Sequence, residues 1–320
     1  MRDRAGDATR LLQDLTSRAV ARGRTRAALA LRAKVAGDDA DRSADRIWGT
    51  PGERWFGPDD VIWRVHADAA MFAGGIRALL LQSLHPLAMA GVARHSGYRS
   101  DPWGRLQRTS SYIATTTYGT VEHAERMIRA VRRVHETVVG TADDGRPYAA
   151  GDPELLRWVH VAEADSFLTA YEVLGPGRLS DTDRDEYVRQ TTTASLLLGA
   201  TDLPQTHAEL QSALEGFRPQ LHATPAAREA ARFLLLTPPL PPSARAGYTA
   251  LAVGAVATLP PWARCELGLR APLPAPASTA TTTLGRGIGR AATSGARWIM
   301  ADPAVANASR SESARRAGRG

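Results

Sequence analysis

The sequence predicts an all-α fold. Apolar residues recur at helical spacing in most segments of the chain, and no group of segments shows the period-two alternation of strands. Aspartate is followed directly by proline at 101–102 and 152–153, and this pair is typical of a helix start. Hydrophobic residues make up 43% of 320 residues, which is enough for a sizeable core.

The first third of the chain predicts three helical segments around one loop. Residues 8–36 contain no proline and carry alanine, leucine and arginine at helical spacing, so we expect a charged helix in an N-terminal extension of residues 1–50. Residues 49–58 are rich in glycine and proline and indicate a loop, after which Asp59 caps the next helix. The apolar stretch 76–93 follows, and Pro86 predicts a break or a new helix within it.

The middle of the chain predicts three more helices. Asp101-Pro102 begins a helix that runs to about Tyr118, and Thr120 begins the next one, which Gly140 ends. Residues 141–151 indicate a turn-rich connection, and Asp152-Pro153 then begins a helix that runs to about Leu174.

The last third predicts a change from helices to a disordered tail. Ser180 or Asp181 begins a helix through the apolar run 196–198. Shorter helices are expected at 204–215, 225–236, 243–258 and 261–267. We therefore place a helical catalytic domain at 51–270. Residues 271–320 contain few large apolar side chains, so we expect a disordered basic tail there.

Charge and cysteine content limit the classes of partner. The formal net charge is +7, arginine supplies nearly all of the positive charge, and Lys34 is the only lysine. We expect no nucleic-acid partner because no recognition-helix motif accompanies this charge, although peripheral contact with an anionic membrane stays open. Cys265 is the only cysteine, which excludes an intrachain disulfide, a zinc finger and an iron–sulfur cluster. The sequence shows no secretory signal and no spanning helix, so we predict a cytoplasmic protein.

Two helix faces carry the residues best suited to chemistry. Arg105, Arg108 and Thr109 share one face of the helix that Asp101 begins, and Arg132 and His135 share a face of the next helix. Because these helices are joined by a very short link at Gly119, we expect them to pack as an antiparallel pair with a shared cleft. A haem needs an imidazole for its iron, cations for its propionates, apolar walls and a polar group near bound dioxygen. This cleft and the apolar segment beside it contain all four.

Four stretches of the sequence resemble one known family. The stretches LLLQSLHPLAMAGV, RLQRTSSY, RRVHETVVG and YAAGDPELLRWVH are similar to the catalytic domain of rubber oxygenases (latex-clearing proteins) and MpaB-type oxygenases. The resemblance covers roughly residues 55–260. It implies a globin-like helical bundle with a haem b pocket between helices. It also implies an enzyme that uses dioxygen on carbon–carbon double bonds, with a small apolar substrate, isoprenoid or otherwise unsaturated, in this protein.

The resemblance assigns roles to the same residues. The family's Arg-x-x-His pattern falls on Arg132 and His135, so His135 is expected to be the axial iron ligand, with Arg105 and Arg132 beside the propionates. The distal Arg-x-x-Lys-Thr pattern falls on Arg105, Arg108 and Thr109, which makes Arg108 and Thr109 the catalytic candidates. Arg108 replaces the lysine and stays protonated, so it cannot ligate iron. We therefore expect water, dioxygen or nothing at the sixth position. The family's acidic residue before the distal helix has no match between Ile76 and Asp101.

The sequence offers two more histidines as site candidates and leaves two alternative functions open. His85 and His160 are candidates for lining the pocket. In one alternative, non-haem iron is bound by His85, His135 and His160 with Glu125, Glu136 or Glu163, although paired Glu-x-x-His motifs are absent. In the other alternative, the chain is a non-catalytic helical binding protein.

Overall fold

The computed structural model describes residues 3–37, 42, 44–97, 99–269 and 275–303. Within these ranges almost all regular structure is helical, which confirms the all-α prediction. The α-helices in chain order are α1 (Asp3–Ala36), α2 (Val61–His66), α3 (Ala70–Gln82), α4 (Pro86–His95), α5 (Pro102–Tyr118), α6 (Val121–Thr137), α7 (Pro153–Leu174), α8 (Asp181–Leu198), α9 (His207–Phe217), α10 (Pro225–Leu236), α11 (Pro242–Thr258), α12 (Pro261–Glu266) and α13 (Ala275–Met300). One hairpin, β1 (Val139–Thr141) and β2 (Pro147–Ala149), lies between α6 and α7. Short helical turns of π and 3₁₀ type occupy Asp45–Gly49 and Arg218–Gln220.

Helix starts follow the capping residues that the sequence contains. The Asp101 carboxylate accepts a hydrogen bond of 2.9 Å from the Gly104 amide, and the Asp152 carboxylate accepts one of 2.8 Å from the Glu154 amide. The Ser180 hydroxyl likewise accepts from an amide of the first turn of α8. Each of these bonds satisfies an amide that has no partner inside the helix, which is why these three predicted starts are correct. The start predicted at Asp59 lies one residue later, at Asp60, whose carboxylate accepts from the Gly57 amide instead of capping α2.

Helix α7 forms the centre of the bundle. It packs along α3 and also contacts α2, α8, α9, α11 and α13. Trp158, Leu168 and Leu174 on α7 are fully buried in the main core. The close packing of α3 on α7 requires Gly74, since a Cβ atom there would lie 2.8 Å from the Phe167 ring. Most of α7 is therefore interior, and a polar side chain on it needs a partner or a ligand.

The apolar segment 76–93 is broken at Pro86, as predicted. Helices α3 and α4 meet at an angle of 109°. No single helix of the described chain is long and apolar enough to cross a membrane. Taken together, α3 and α4 reach the necessary length and composition, but only as this bent pair.

The connection after α6 contains a hairpin that the sequence analysis missed. Helix α6 ends at Thr137 rather than at Gly140, and β1 pairs with β2 in antiparallel register through Gly140 and Tyr148. Tyr148 is buried in a small apolar cluster with Leu155. Strands of three residues are too short to display an alternating pattern, so the turn residues dominated the prediction.

The predicted disorder from residue 271 onward is wrong for Ala275–Met300. These residues form α13, which packs on α11, α7 and α1. The Thr293 hydroxyl donates a hydrogen bond of 2.6 Å to the carbonyl of Leu174, and Arg297 pairs with Asp68 at 2.6 Å. Small side chains, rather than large apolar ones, allow this packing. Residues 271–274 and 304–320 of the predicted tail lie outside the described residues.

Candidate functional site

One face of α7 is polar at its middle. Leu156, His160, Glu163 and Phe167 follow one another at three- and four-residue spacing and therefore share this face. Phe167 meets the His66 ring of α2 edge-on, with 5.5 Å between the ring centroids. The face is thus directed into the bundle, and His160 and Glu163 stand between apolar residues at either end.

His160 is a buried imidazole with one satisfied nitrogen. The side chain is in hydrogen-bond contact with α8, where its Nδ1 atom lies 2.9 Å from the Ser195 hydroxyl oxygen. Its Nε2 atom is buried and has no hydrogen-bond partner in the described part of the chain. Burial lowers the pKa of His160 to about 4, so the imidazole is neutral near pH 7.

Glu163 lies one turn further along the same face. Burial raises the pKa of this carboxyl to about 7. Its charge contributes to the raised pKa values of Tyr112 on α5 and Tyr187 on α8, for both of which burial is the larger cause. Glu163 therefore shares a polar interior with two phenol groups and can gain or lose a proton near neutrality.

His66 of α2 lies beside this polar interior and contacts Tyr187, one of its two phenol groups. Its Nδ1 atom lies 2.9 Å from the Thr117 hydroxyl and its Nε2 atom 3.2 Å from the Tyr187 hydroxyl. Burial lowers the pKa of His66 to about 3. In contrast to His160, both of its ring nitrogens are satisfied by the protein. The sequence analysis did not identify His66, Tyr112 or Tyr187 as site residues.

His135 lies on the inward stripe of α6. Ala124 and Ile128, at preceding positions of this stripe, are buried, and His135 itself is half-buried. Its Nδ1 atom is shielded from solvent and accepts or donates no hydrogen bond among the described residues. Burial lowers the pKa of His135, which favours the neutral form that can bind a metal. The predicted ligand is therefore present as an imidazole with a free nitrogen.

Arg132 connects this part of α6 to the end of α8. The side chain is exposed, and its guanidinium donates a hydrogen bond of 3.4 Å to the Leu197 carbonyl. Ser195, which holds His160, belongs to the same last turn of α8. The helix segments that carry His135 and His160 thus approach one turn of α8 from two sides.

The predicted distal residues occupy the outer end of α5. Arg105 is half-buried and donates a hydrogen bond of 2.6 Å to the Ser96 hydroxyl. Arg108 and Thr109 are exposed, and Arg108 forms an ion pair of 3.1 Å with Asp101. Tyr112 is the next residue of this stripe toward the interior. Helices α5 and α6 pack against each other as predicted. Their arginines have different partners, because Arg105 donates to Ser96 and Arg132 donates to the Leu197 carbonyl.

His85 has a structural position. It caps α4, where its Nδ1 atom accepts from the Ala88 amide at 3.5 Å, and its Nε2 atom lies 3.4 Å from the Gln220 amide oxygen. Its ring lies tilted beside Trp158, with 6.3 Å between centroids. Both nitrogens of His85 therefore have protein partners, one in α4 and one in the short turn Arg218–Gln220.

The grouping of metal-ligating side chains bears on the non-haem alternative. In the parts of the chain described above, no three His, Cys, Asp or Glu side chains come together as a group that could hold a metal ion. His85, His135 and His160 do not form the shared site that the non-haem alternative requires. A porphyrin supplies four nitrogens itself and needs only one or two ligands from the protein. The free ring nitrogens of His135 and His160 fit that requirement.

The fold and the site define a helical bundle with neutral imidazoles and a carboxyl in a polar interior. The chain belongs to the family described as ER-bound oxygenase mpaB/B'/rubber oxygenase, catalytic domain, whose model matches residues 63–298. It is thus an oxygenase, an oxidoreductase that uses dioxygen. The match begins within α2, includes α3 to α12 and covers nearly all of α13. No curated protein and no solved structure matches the chain significantly.

Proposed function

We propose that this protein is a haem b-dependent oxygenase that acts with dioxygen on an apolar, unsaturated substrate such as an isoprenoid chain. The observation that carries the proposal is the half-buried His135 imidazole, whose Nδ1 atom has no partner among the described residues. In a family of oxygenases, a neutral imidazole in this state is the residue best suited to hold a haem iron.

The residues around His135 would bind and orient the cofactor. His135 would hold the iron, and Arg132 and Arg105 would pair with the propionates as charge-assisted donors. The bound haem would supply the iron centre at which dioxygen is activated. Arg108 cannot ligate that iron, so we assign to Arg108 and Thr109 hydrogen bonding to developing negative charge on oxygen or substrate.

Two features support an apolar substrate and proton transfer near the proposed haem ligand. Leu196 and Leu197 on the last turn of α8 are 51% and 43% exposed, next to the carbonyl that Arg132 contacts. They offer an apolar surface where a hydrocarbon chain can approach. Glu163, with a pKa of about 7, can hold or release a proton at its carboxyl in the polar interior that it shares with Tyr112 and Tyr187.

The first experiment measures haem binding. Purified protein titrated with haemin should develop a Soret band with a stoichiometry of one haem per chain. His135→Ala should lose most of this binding, because the protein loses its ligand nitrogen. His95→Ala is the matched control, since His95 is an exposed histidine whose Nε2 atom lies 3.1 Å from the Tyr148 hydroxyl.

Two results would contradict the proposal. One is a parent protein that acquires no Soret band on titration. The other is a His135→Ala variant that binds haem and consumes dioxygen with an isoprenoid substrate as well as the parent does.

A further inference from the structure

The His160 Nε2 atom is a buried polar atom without a hydrogen-bond partner among the described residues. His160 is only 6% exposed, and no described residue offers a hydrogen bond to this atom. Buried polar atoms in native proteins almost always have a partner, so an orphan atom indicates a ligand. His66 and His85 show the contrast, because both nitrogens of each ring have protein partners.

The hydrogen bond to Ser195 prepares this ring for metal binding. When Nδ1 carries the proton and donates to the Ser195 hydroxyl at 2.9 Å, the Nε2 atom presents its lone pair. Histidines that ligate metals usually have such a bond on the other ring nitrogen, which fixes both the tautomer and the orientation of the ring. Burial also keeps the imidazole neutral, as ligation requires.

The position of His160 relates it to the proposed haem ligand. Ser195 and Leu197 belong to one turn of α8, and they contact His160 of α7 and Arg132 of α6, respectively. Arg132 lies one helical turn before His135. Two histidines with free buried nitrogens are therefore carried by helix segments that meet at the same turn of α8.

We propose that the His160 Nε2 atom is a second axial ligand, so that a haem bound by His135 carries two imidazoles in the resting protein. This inference rests on the proposed haem-dependent function. It replaces the expectation that water, dioxygen or nothing occupies the sixth position. With both positions filled, dioxygen must compete with His160, which makes this side chain a control on oxygen access.

The test uses the spin state of the bound haem. The haem-loaded ferric parent should show the absorption and electron paramagnetic resonance spectra of a low-spin iron with two histidines. His160→Ala should convert it to a high-spin form while retaining haem through His135. Millimolar imidazole should restore the low-spin spectrum by refilling the vacated position. Circular dichroism would verify that the variant is folded.

Two further variants define how His160 acts. Ser195→Ala removes only the hydrogen bond that orients the ring, so we expect a mixture of low-spin and high-spin haem, with haem affinity lowered less than by His160→Ala. His95→Ala should leave the low-spin spectrum unchanged.

The outcomes separate this inference from the proposed function. A high-spin parent, a His160→Ala spectrum equal to that of the parent, or a variant that imidazole does not restore would overturn the second ligand and leave haem binding by His135 intact. A parent that binds no haem would overturn both.

Discussion

At the scale of single residues, Glu163 makes the stability of the protein depend on pH in a specific way. Its folded-state pKa is raised by burial to about 7, above the ordinary value of 4.5. Between these values the folded chain keeps a proton that the unfolded chain releases. The contribution of Glu163 to the free energy of unfolding should therefore fall as pH rises from about 4.5 to about 7, and it should change little above pH 7.

The buried histidines oppose this slope, so the effect must be measured as a difference. His66 and His160 have folded-state pKa values lowered by burial to about 3 and about 4. Their contribution to the free energy of unfolding is fully present above the ordinary histidine pKa of 6.5, and it is lost as pH falls toward the folded-state pKa values. Urea unfolding of the parent and of Glu163→Gln at several pH values isolates the carboxyl. The stability of the parent relative to Glu163→Gln should decrease from pH 4.5 to pH 7. A constant difference would show that Glu163 ionises normally.

Sequence analysis reached only part of the candidate site. Arg132 and His135 were identified through the family resemblance, and the structure shows His135 half-buried with a free nitrogen. The roles of Arg105, Arg108 and Thr109 remain predictions. The polar interior was not assembled in advance, because Tyr112 and Tyr187 come from different helices and only the packing brings them near Glu163. The available signal was local: His160 and Glu163 stand three residues apart on a mostly apolar helix.

At the scale of elements, helix starts were predictable and small-residue packing was not. A cap is a contact within one turn, so Asp101-Pro102 and Asp152-Pro153 gave correct starts from the sequence alone. Helix α13 was missed because its stability depends on contacts with earlier helices, such as the approach of Gly289 to Gly254 of α11. Composition counts large apolar side chains and does not detect glycines that allow two backbones to approach closely.

The crossing of α11 and α13 gives a prediction with a control in the same helix. A Cβ atom at Gly289 would lie 2.6 Å from the Cα atom of Gly254, so Gly289→Ala forces the two backbones apart. We expect a loss of about 1–3 kcal/mol in the free energy of unfolding, as overpacked cores show. Gly287 is exposed, and nothing lies within 4 Å of a Cβ atom there. Gly287→Ala should therefore stabilise the helix by up to about 1 kcal/mol. Urea unfolding measures both, and equal effects of the two substitutions would contradict the close approach.

At the scale of the whole molecule, a buried ion pair connects α7 to three other helices. Arg77 of α3 and Asp165 of α7 are 3% and 4% exposed and lie 2.7 Å apart. Gln211 of α9 donates to Asp165 at 2.9 Å, and Arg77 donates to the Thr258 carbonyl of α11 at 3.2 Å. This network fixes the helices that pack against α7 on the sides away from the polar interior. The bundle thereby holds α7, and with it His160 and Glu163, in a single position.

Breaking this pair on one side should cost far more than breaking an exposed pair. Asp165→Ala leaves the Arg77 guanidinium buried without its counter-charge, and we expect a loss of about 3–5 kcal/mol in the free energy of unfolding. Glu122→Ala is the control, because Glu122 and Arg126 form an ion pair at 76% and 61% exposure, where such pairs contribute at most about 0.5 kcal/mol. The double variant Arg77→Met with Asp165→Leu should lose less than Asp165→Ala alone, since no charge then remains buried. If Asp165→Ala were no more destabilising than Glu122→Ala in urea unfolding, the network would not be what holds α7 in place.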